Sequence, residues 1–497
     1  MRTAGTPDVT AEATLVEAVW GLLHRALQLY RDDPRATGRL RGELARLEQP
    51  LRVAIAGPWR SGRSTLLNAI MGEEVAPVEG ADGDTFFTWY EDGERPHATA
   101  YSTGHPPQDL TVVKSATGMR VDLVGWRAGE LRDIVVRWPT RALRQLTLID
   151  TPPVTGPDEH GRAAVLDRVL RDADAVLYLT RDGRASDLRV LTAARDSATG
   201  QAAPVNMMLV LSRADEVGGG RVDALLTARQ LARRMHRDPA VGALSLNVLA
   251  CSGLVGLAGR LLTGSEFAAL AELARVPRAE LEAYLLSAER FLRGEPPARV
   301  DAAQRAALLD RLGLFGVRLA TTLVRTGCDS RTKLSAELIR RSGLTELRES
   351  VSRLFIDRQE TLKARSALVG LEEVLRAEPG PGSAELLGST ERILAGAHEF
   401  QELRLLATLR GAGLGFDAEL AAEARRLVGG DGVGLAARLG FEHDAPAHEL
   451  WQAAAEARWR WRDRADDPLL RLPQRRGAQV VVRSCEGMLA TLAAGGR

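Results

Sequence analysis

Residues 57 to 65 read Gly57-Pro58-Trp59-Arg60-Ser61-Gly62-Arg63-Ser64-Thr65. A glycine, four residues, then Gly, a cation and Ser is the spacing of a loop that cradles phosphates. Its chemistry is mostly backbone. Glycines let successive N–H groups turn inward toward an anion, and a helix starting just beyond the loop adds partial positive charge. Ser64 offers a hydroxyl to Mg²⁺. Arg63 supplies the cation where the pattern has Lys, and Arg60, Ser61 and Thr65 complete the cradle. The elements that must position the loop flank it. Val53–Ala56 is a short apolar run, which predicts a buried strand, and Leu66 to Ile70 predicts a helix.

Further groups follow in a fixed order. Thr85, in Gly83-Asp84-Thr85-Phe86-Phe87, is a candidate for Mg²⁺ and the γ-phosphate. Asp150 ends an apolar run and opens Asp150-Thr151-Pro152-Pro153, where Asp-x-x-Gly is expected; it would hold the metal through water. Ser212-Arg213-Ala214-Asp215 stands where [NT]-Lys-x-Asp belongs. Asp215 would accept hydrogen bonds from guanine N1 and N2, and the alkyl part of Arg213 would pack on the base. Cys251-Ser252-Gly253 closes another run, where Ser252 and Gly253 would present backbone N–H groups to guanine O6. Each element alone is weak. Their order points to GTP or GDP with Mg²⁺.

The surrounding text explains how these groups could be held. From 51 to about 262 strands alternate with helices. Strand candidates are Val53–Ala56, Asp133–Trp138, Leu146–Ile149, Ala175–Thr180, Val205–Leu211 and Leu244–Leu249. Helices are predicted around 65–71, 160–171, 184–197 and 221–236. Continuous apolar strands suit a parallel sheet covered on both faces, so this part reads as a doubly wound α/β domain. Two helices precede it, the first with Leu15, Val19, Leu22, Ala26 and Leu29 on one face, the second reaching Leu47. Beyond about 263 amphipathic helices follow one another: 265–275, 279–293, 301–312, 315–326 and 330–341. A single helix is predicted from Leu344 to about Ala377, roughly 50 Å long at the helical rise. Glu378 to Ser383 turns it into a partner over 384–410, so this turn is the expected tip of a stalk. The remainder, 417–497, reads as helix, with Leu450, Ala454, Ala457 and Trp461 on one buried face. The expected division is 1–50, 51–262 and 263–497.

Composition sets bounds. The 497 residues carry a formal net charge of +1, which supplies no general field for nucleic acid. Three scattered cysteines, Cys251, Cys328 and Cys485, suggest neither a disulfide framework nor a zinc site and fit a reducing cytoplasm. No apolar stretch is long enough to span a bilayer, so any membrane contact is expected to be peripheral.

Taken together, GRSTLLNAIMGEEVAPVEG, DTFFTWYEDG, ADAVLYLTR and VLSRADEVGGGRVDA resemble the bacterial dynamin-like proteins of actinobacteria. FAALAELA, LLSAERFLR, RLGLFGVRLA, LKARSAL and VVRSCEGMLA extend the likeness to the smaller member of an operon pair. The isoniazid-inducible mycobacterial pair and a septal streptomycete pair are of this type. The resemblance runs from about residue 15 to the end. It implies a dynamin-type GTPase domain, a helical neck made from both ends of the chain, a helical trunk, and self-association with a second dynamin-like partner. It also implies membrane remodelling or septal work at the inner face of the cell membrane. The turn at 378–383 is neither basic nor rich in aromatics, so direct lipid binding is expected to be weak and recruitment to run through the partner. Trp459 to Arg462 is the better amphipathic candidate.

Two residues depart from the guanine-nucleotide pattern. Arg63 keeps the charge of Lys but has a longer, planar fork that favours bidentate geometry. Pro153 has no N–H to give the γ-phosphate where the pattern has Gly. A hydrogen bond to a charged group is worth roughly 1.5–3 kcal/mol, so weakened γ-phosphate sensing and poor hydrolysis are expected.

Overall fold

Residues alternate between two cores along the central strands. In the computed structural model Val53 and Ile55 of β1 (Leu51–Ala56) enter one core, while Ala54 and Ala56 enter the other. The same alternation recurs along β9 (Ala175–Thr180), where Leu177 and Leu179 face away from Val176 and Tyr178. A sheet buried on both faces is the physical reason these strands read as continuous apolar runs. The structure describes residues 14–76, 86–115, 118–123, 126, 129–154, 159–183, 188, 191–192, 203–242, 244–294, 299–410 and 413–495.

The strands in chain order are β1, β2 (Phe87–Asp92), β3 (His97–Ser102), β4 (Gln108–Leu110), β5 (Val112–Ser115), β6 (Gly118–Val121), β7 (Leu131–Trp138), β8 (Leu146–Asp150), β9, β10 (Met207–Leu211) and β11 (Asn247–Ala250). Nine of them form one sheet in the order β11-β10-β9-β1-β8-β2-β7-β3-β4, and β5 and β6 form a separate ribbon. β1 lies between β8 and β9 and is parallel to both. β2 pairs antiparallel with β8 and parallel with β7, so the sheet is mixed. β10 begins at Met207 rather than Val205, and β11 at Asn247 rather than Leu244. The stretch from β2 to β6 escaped the sequence reading. Its strands interleave polar and small residues, and no continuous apolar run marks them.

The helices are α1 (Leu15–Leu29), α2 (Pro34–Glu48), α3 (Arg63–Met71), α4 (Glu159–Asp172), α5 (Ala224–Arg237), α6 (Gly253–Leu261), α7 (Gly264–Arg275), α8 (Arg278–Tyr284), α9 (Ala302–Arg325), α10 (Arg331–Ser342), α11 (Leu344–Leu354), α12 (Gln359–Ala377), α13 (Ser383–Gly396), α14 (His398–Arg410), α15 (Ala418–Leu427), α16 (Ala447–Asp466) and α17 (Leu472–Gly495), with shorter turns between them. The expected helix over 184–197 lies largely outside the described residues.

Several expectations about helices are corrected. The single helix from 344 to 377 is two, α11 and α12. They are separated by buried Phe355 and by a short turn at Ile356–Arg358, where Arg358 at φ −117° and ψ 18° leaves helical geometry. Arg358 donates to the carbonyls of Val428 and Gly429 at 3.1 and 2.8 Å, which holds the break. The run 384–410 breaks at Ala397. The run 279–293 divides into α8 and a second helix, Ala288–Arg293, whose N-cap Ser287 accepts from Arg290 N–H at 3.1 Å. The expected break between 301–312 and 315–326 is present: Gly313, at φ 64° and ψ 174°, leaves helical geometry and interrupts α9. Helical periodicity runs through the joints near 286, 356 and 397, so only packing could place those breaks.

The two N-terminal helices find their place here. α1, α2, α12 and α13 share one apolar core containing Leu22, Leu23, Leu40, Leu368 and Leu371. The turn expected as the tip of a stalk lies at the end of this four-helix assembly: Tyr30 at the end of α1 donates to the Glu378 carbonyl at 2.5 Å, Ser383 is buried, and residues 379–382 are exposed. At the other end α2 is locked to the sheet. Arg46 reaches Asp174 at 2.8 Å and the carbonyls of Arg171 and Asp172 at 2.8 and 3.1 Å. The other oxygen of Asp174 accepts from Arg52 N–H, at the start of β1, at 2.9 Å. Lys363 of α12 donates to the carbonyls of Leu47 and Gln49 that end α2.

Candidate functional site

β1 ends at Ala56, and the chain turns at Gly57. A side chain at Gly57 would place its Cβ 2.6 Å from the Leu179 carbonyl of β9, so the strand spacing itself demands glycine. Gly62 has φ 85° and starts α3, whose N-terminus faces into the loop. Ser61 between them is fully buried, and among the described residues its hydroxyl has no hydrogen-bond partner. Arg60 holds a left-handed backbone at φ 59°, and its guanidinium lies 4.2 Å from the ring centre of the half-exposed Trp59. An orphaned hydroxyl and a glycine-lined turn at a helix start are what a phosphate cradle requires.

Arg63 is folded back into this loop. Its Nη1 donates to the Gly57 and Pro58 carbonyls at 3.1 and 2.7 Å, and its Nε lies 3.8 Å from Asp150. Burial lowers its pKa, and the Asp150 charge opposes that shift. Ser64, in the first turn of α3, donates to Asp150 at 2.8 Å. Thr65 follows it on α3. Beyond Asp150 the chain stays against the loop. Thr151 donates to the Ile55 carbonyl at 3.1 Å, and Val154 N–H donates to the Gly57 carbonyl at 3.0 Å. The first N–H after Pro153 is therefore already engaged, on the same carbonyl that Arg63 uses.

The base-side groups are brought beside the loop. Arg213 has φ 50° and donates to the Arg60 carbonyl at 3.1 Å, while its guanidinium also pairs with Glu216. Asp215 is nearly buried and accepts from the Ser252 hydroxyl at 2.6 Å. Burial pushes the Asp215 carboxyl up, and the Ser252 hydrogen bond opposes it. Ser252 also caps α6 by accepting from Val255 N–H at 3.2 Å. Gly253 lets α6 lie against α3: a Cβ there would sit 3.2 Å from the backbone of Leu66. All the site residues named from sequence that are described meet here, and Thr85 lies outside the described residues.

Sequence reasoning missed Asn68. Its side chain accepts from Val75 and Ala76 N–H at 2.9 and 2.8 Å and donates to the Ala76 carbonyl at 2.8 Å. It pins the chain where it leaves α3 toward Thr85. A lone buried Asn among Leu66, Leu67, Ala69 and Ile70 was the available signal. The oxygen-only pair Ser64 and Asp150 suits Mg²⁺, a hard cation that usually keeps several waters beside one or two protein ligands.

No family model matches the chain. It is 36% identical over 492 residues to the isoniazid-induced protein IniC of Mycobacterium tuberculosis, in strains CDC 1551 / Oshkosh and H37Rv, covering 96% of this chain and 99% of the relative. The chain belongs to the IniC family. The match spans the phosphate loop, the base-side groups and the helical half alike, which agrees with the dynamin-like resemblance along the same length. Among solved structures, an oligomerised bacterial dynamin pair, described as a mechanism for long-range sensing and tethering of membranes, is 14% identical. It covers 97% of this chain and 75% of that chain, with a TM-score of 0.32. A GTP-binding protein of Sulfolobus solfataricus in complex with GDP is 12% identical, covers 49% of this chain and 62% of that chain, and has a TM-score of 0.21. At those scores neither superposition carries an argument here. This IniC-family chain combines a mixed, largely parallel nine-stranded α/β domain with helical bundles.

Proposed function

We propose that this protein is a dynamin-like guanine-nucleotide-binding protein that binds GTP and GDP with Mg²⁺ and hydrolyses GTP poorly. The observation that carries the reading is the Arg213 to Arg60 hydrogen bond, which joins the phosphate loop and the base-side loop into one continuous site. In this reading Gly57, Arg60, Ser61, Gly62, Arg63, Ser64 and Thr65 hold the phosphates. Arg213, Asp215, Ser252 and Gly253 hold the base. Ser64, Asp150 and Thr85 serve the metal. Mg²⁺, when bound, neutralises charge on the phosphate oxygens. Asp215, held by the Ser252 hydroxyl, accepts from guanine. Arg63 must leave the Gly57 and Pro58 carbonyls before it can meet a phosphate, and Pro153 offers no N–H to report the γ-phosphate.

By the same family reading the chain works at the inner face of the cell membrane or the division septum, in membrane remodelling, beside a second dynamin-like protein and with self-association. Residues 51–262 serve as the GTPase domain and 1–50 with 263–497 as neck and trunk. No nucleic acid partner is invoked. A second reading, a pseudo-GTPase scaffold that stabilises its partner without turnover, is favoured by the same engagement of Arg63 and Val154 on the Gly57 carbonyl.

GTP turnover by the purified chain, measured beside Arg63→Lys/Pro153→Gly, tests impaired hydrolysis. The double variant is expected to be faster by roughly ten-fold or more, the value of one charged hydrogen bond. Equal turnover would defeat it. Absence of any GDP binding by calorimetry would remove the nucleotide reading altogether.

A further inference from the structure

We propose that the outer side of the α16–α17 hairpin, with its turn, makes direct contact with an anionic lipid surface. The proposal deepens the membrane reading above and rests on it. The inner side of α16 is accounted for: Leu450, Ala454, Ala457 and Trp461 are buried, and the Trp461 indole donates to Glu423 at 3.1 Å. The other side is not covered. Trp451 and Trp459, two turns apart, are 45% and 73% exposed. In the turn that follows, Leu469 is 91% exposed, and Leu472 at the start of α17 is 52% exposed.

This display is built rather than frayed. Asp467 accepts from Leu469 N–H at 2.8 Å, and its carbonyl accepts from Leu470 N–H at 3.3 Å. Gln474 caps Arg471 N–H at 2.9 Å and ties the turn to the Gly415 carbonyl at 3.1 Å. Four hydrogen bonds hold the turn that carries the exposed leucine.

The chemistry around it selects the partner. Between Arg458 and Arg476 stand seven arginines and three aspartates, in a chain whose overall balance is +1. Tryptophan is the side chain enriched at the headgroup level of a bilayer, arginine stems extend along apolar surface with the charge in water, and anionic headgroups attract the cations. Among the described residues no single helix is long and apolar enough to cross a membrane, so the contact lies in the interface. The expectation of weak lipid binding rests on the turn at 378–383 and on the buried stripe Leu450, Ala454, Ala457 and Trp461; Trp451, Trp459 and Leu469 lie outside both. Removing one leucine from water favours partition by roughly ten-fold or more, and each arginine near an anionic surface adds roughly five-fold.

Flotation of the full chain, without a partner, on vesicles of phosphatidylcholine with one-third phosphatidylglycerol tests the proposal. Wild type is expected to float, and Trp459→Ser/Leu469→Ser/Leu472→Ser to lose at least ten-fold in apparent affinity. These positions are exposed, so the variant is expected to keep the wild-type melting midpoint. Arg471→Glu/Arg476→Glu, a second variant, is expected to weaken binding further as salt rises less steeply than for wild type. A wild type that does not float overturns direct contact by any surface. A wild type and triple variant that float equally overturn this surface and leave the membrane reading standing. If the triple variant instead loses self-association in light scattering without vesicles, and floats normally, the face belongs to a second copy and the proposal is overturned.

Discussion

Arg63 shows how one substitution changes a loop without dismantling it. A lysine places a compact charge among phosphates; the longer arginine finds carbonyl partners at Gly57 and Pro58 within its own loop. Asp215 and Ser252 give a second residue-scale test. Burial raises the Asp215 carboxyl and the Ser252 hydroxyl lowers it, so Ser252→Ala moves it further up. Guanine recognition needs the ionised form. GDP affinity of Ser252→Ala, titrated from about pH 7 downward, is therefore expected to collapse at a higher pH than that of wild type; coincident curves would refute the role. Asn68→Ala leaves the Val75 and Ala76 N–H groups buried without partners. Each costs roughly 1–3 kcal/mol, so urea denaturation is expected to show a loss of about 2–6 kcal/mol. Gly57 to Thr65, Asp150, Asp215 and Ser252 were legible because fixed spacing after apolar runs marks them. Asn68 was not, because its work depends on where the chain returns after α3.

At the scale of elements, α/β alternation was readable wherever strands are buried on both faces, and the mixed edge from β2 to β4 was not. The helix breaks at Phe355 and Ala397 were equally hidden, since apolar periodicity continues across them. Buried polar contacts decide such joints. Glu402 of α14 accepts from Ser484 of α17 at 2.6 Å, pairs with Arg438 at 2.5 Å and lies 3.4 Å from His398. Burial pushes its carboxyl up, but the His398 hydrogen bond, the Arg438 charge and Ser484 outweigh it and hold the pKa down to about 2. A depressed carboxylate contributes stability that is fully present above its ordinary value of 4.5 and is lost as pH falls toward about 2. Thermal unfolding of wild type is expected to weaken steeply across that window. Glu402→Gln is expected to be less stable at neutral pH and to lose less across the same window. A parallel decline in both proteins would argue against Glu402 as the source.

The whole molecule joins the loop at 57–65 to helices drawn from both ends of the chain. Arg46 and Lys363 fasten α2 and α12 to the start of β1, only one strand from the phosphate loop. Any ligand that binds the folded chain stabilises it by mass action, about 2.7 kcal/mol at a hundred times its dissociation constant. GDP with Mg²⁺ is expected to raise the melting midpoint, and a non-hydrolysable GTP analogue at equal saturation to raise it by the same amount, because Pro153 cannot read the third phosphate. A much larger shift with the analogue would show that γ-phosphate sensing survives.

By itself the sequence determined the strand–loop–helix at 57–65, the groups Asp150, Asp215 and Ser252 at strand ends, and the α/β class. These rest on local spacing and on apolar periodicity, which a linear text records. Tertiary structure alone decided that Arg63 turns back on its own loop, that α1 and α2 pack with α12 and α13, and that Leu469 stands exposed in the turn between α16 and α17. Those outcomes depend on which buried hydrogen bonds and cores distant segments complete for one another, and no local pattern contains that information.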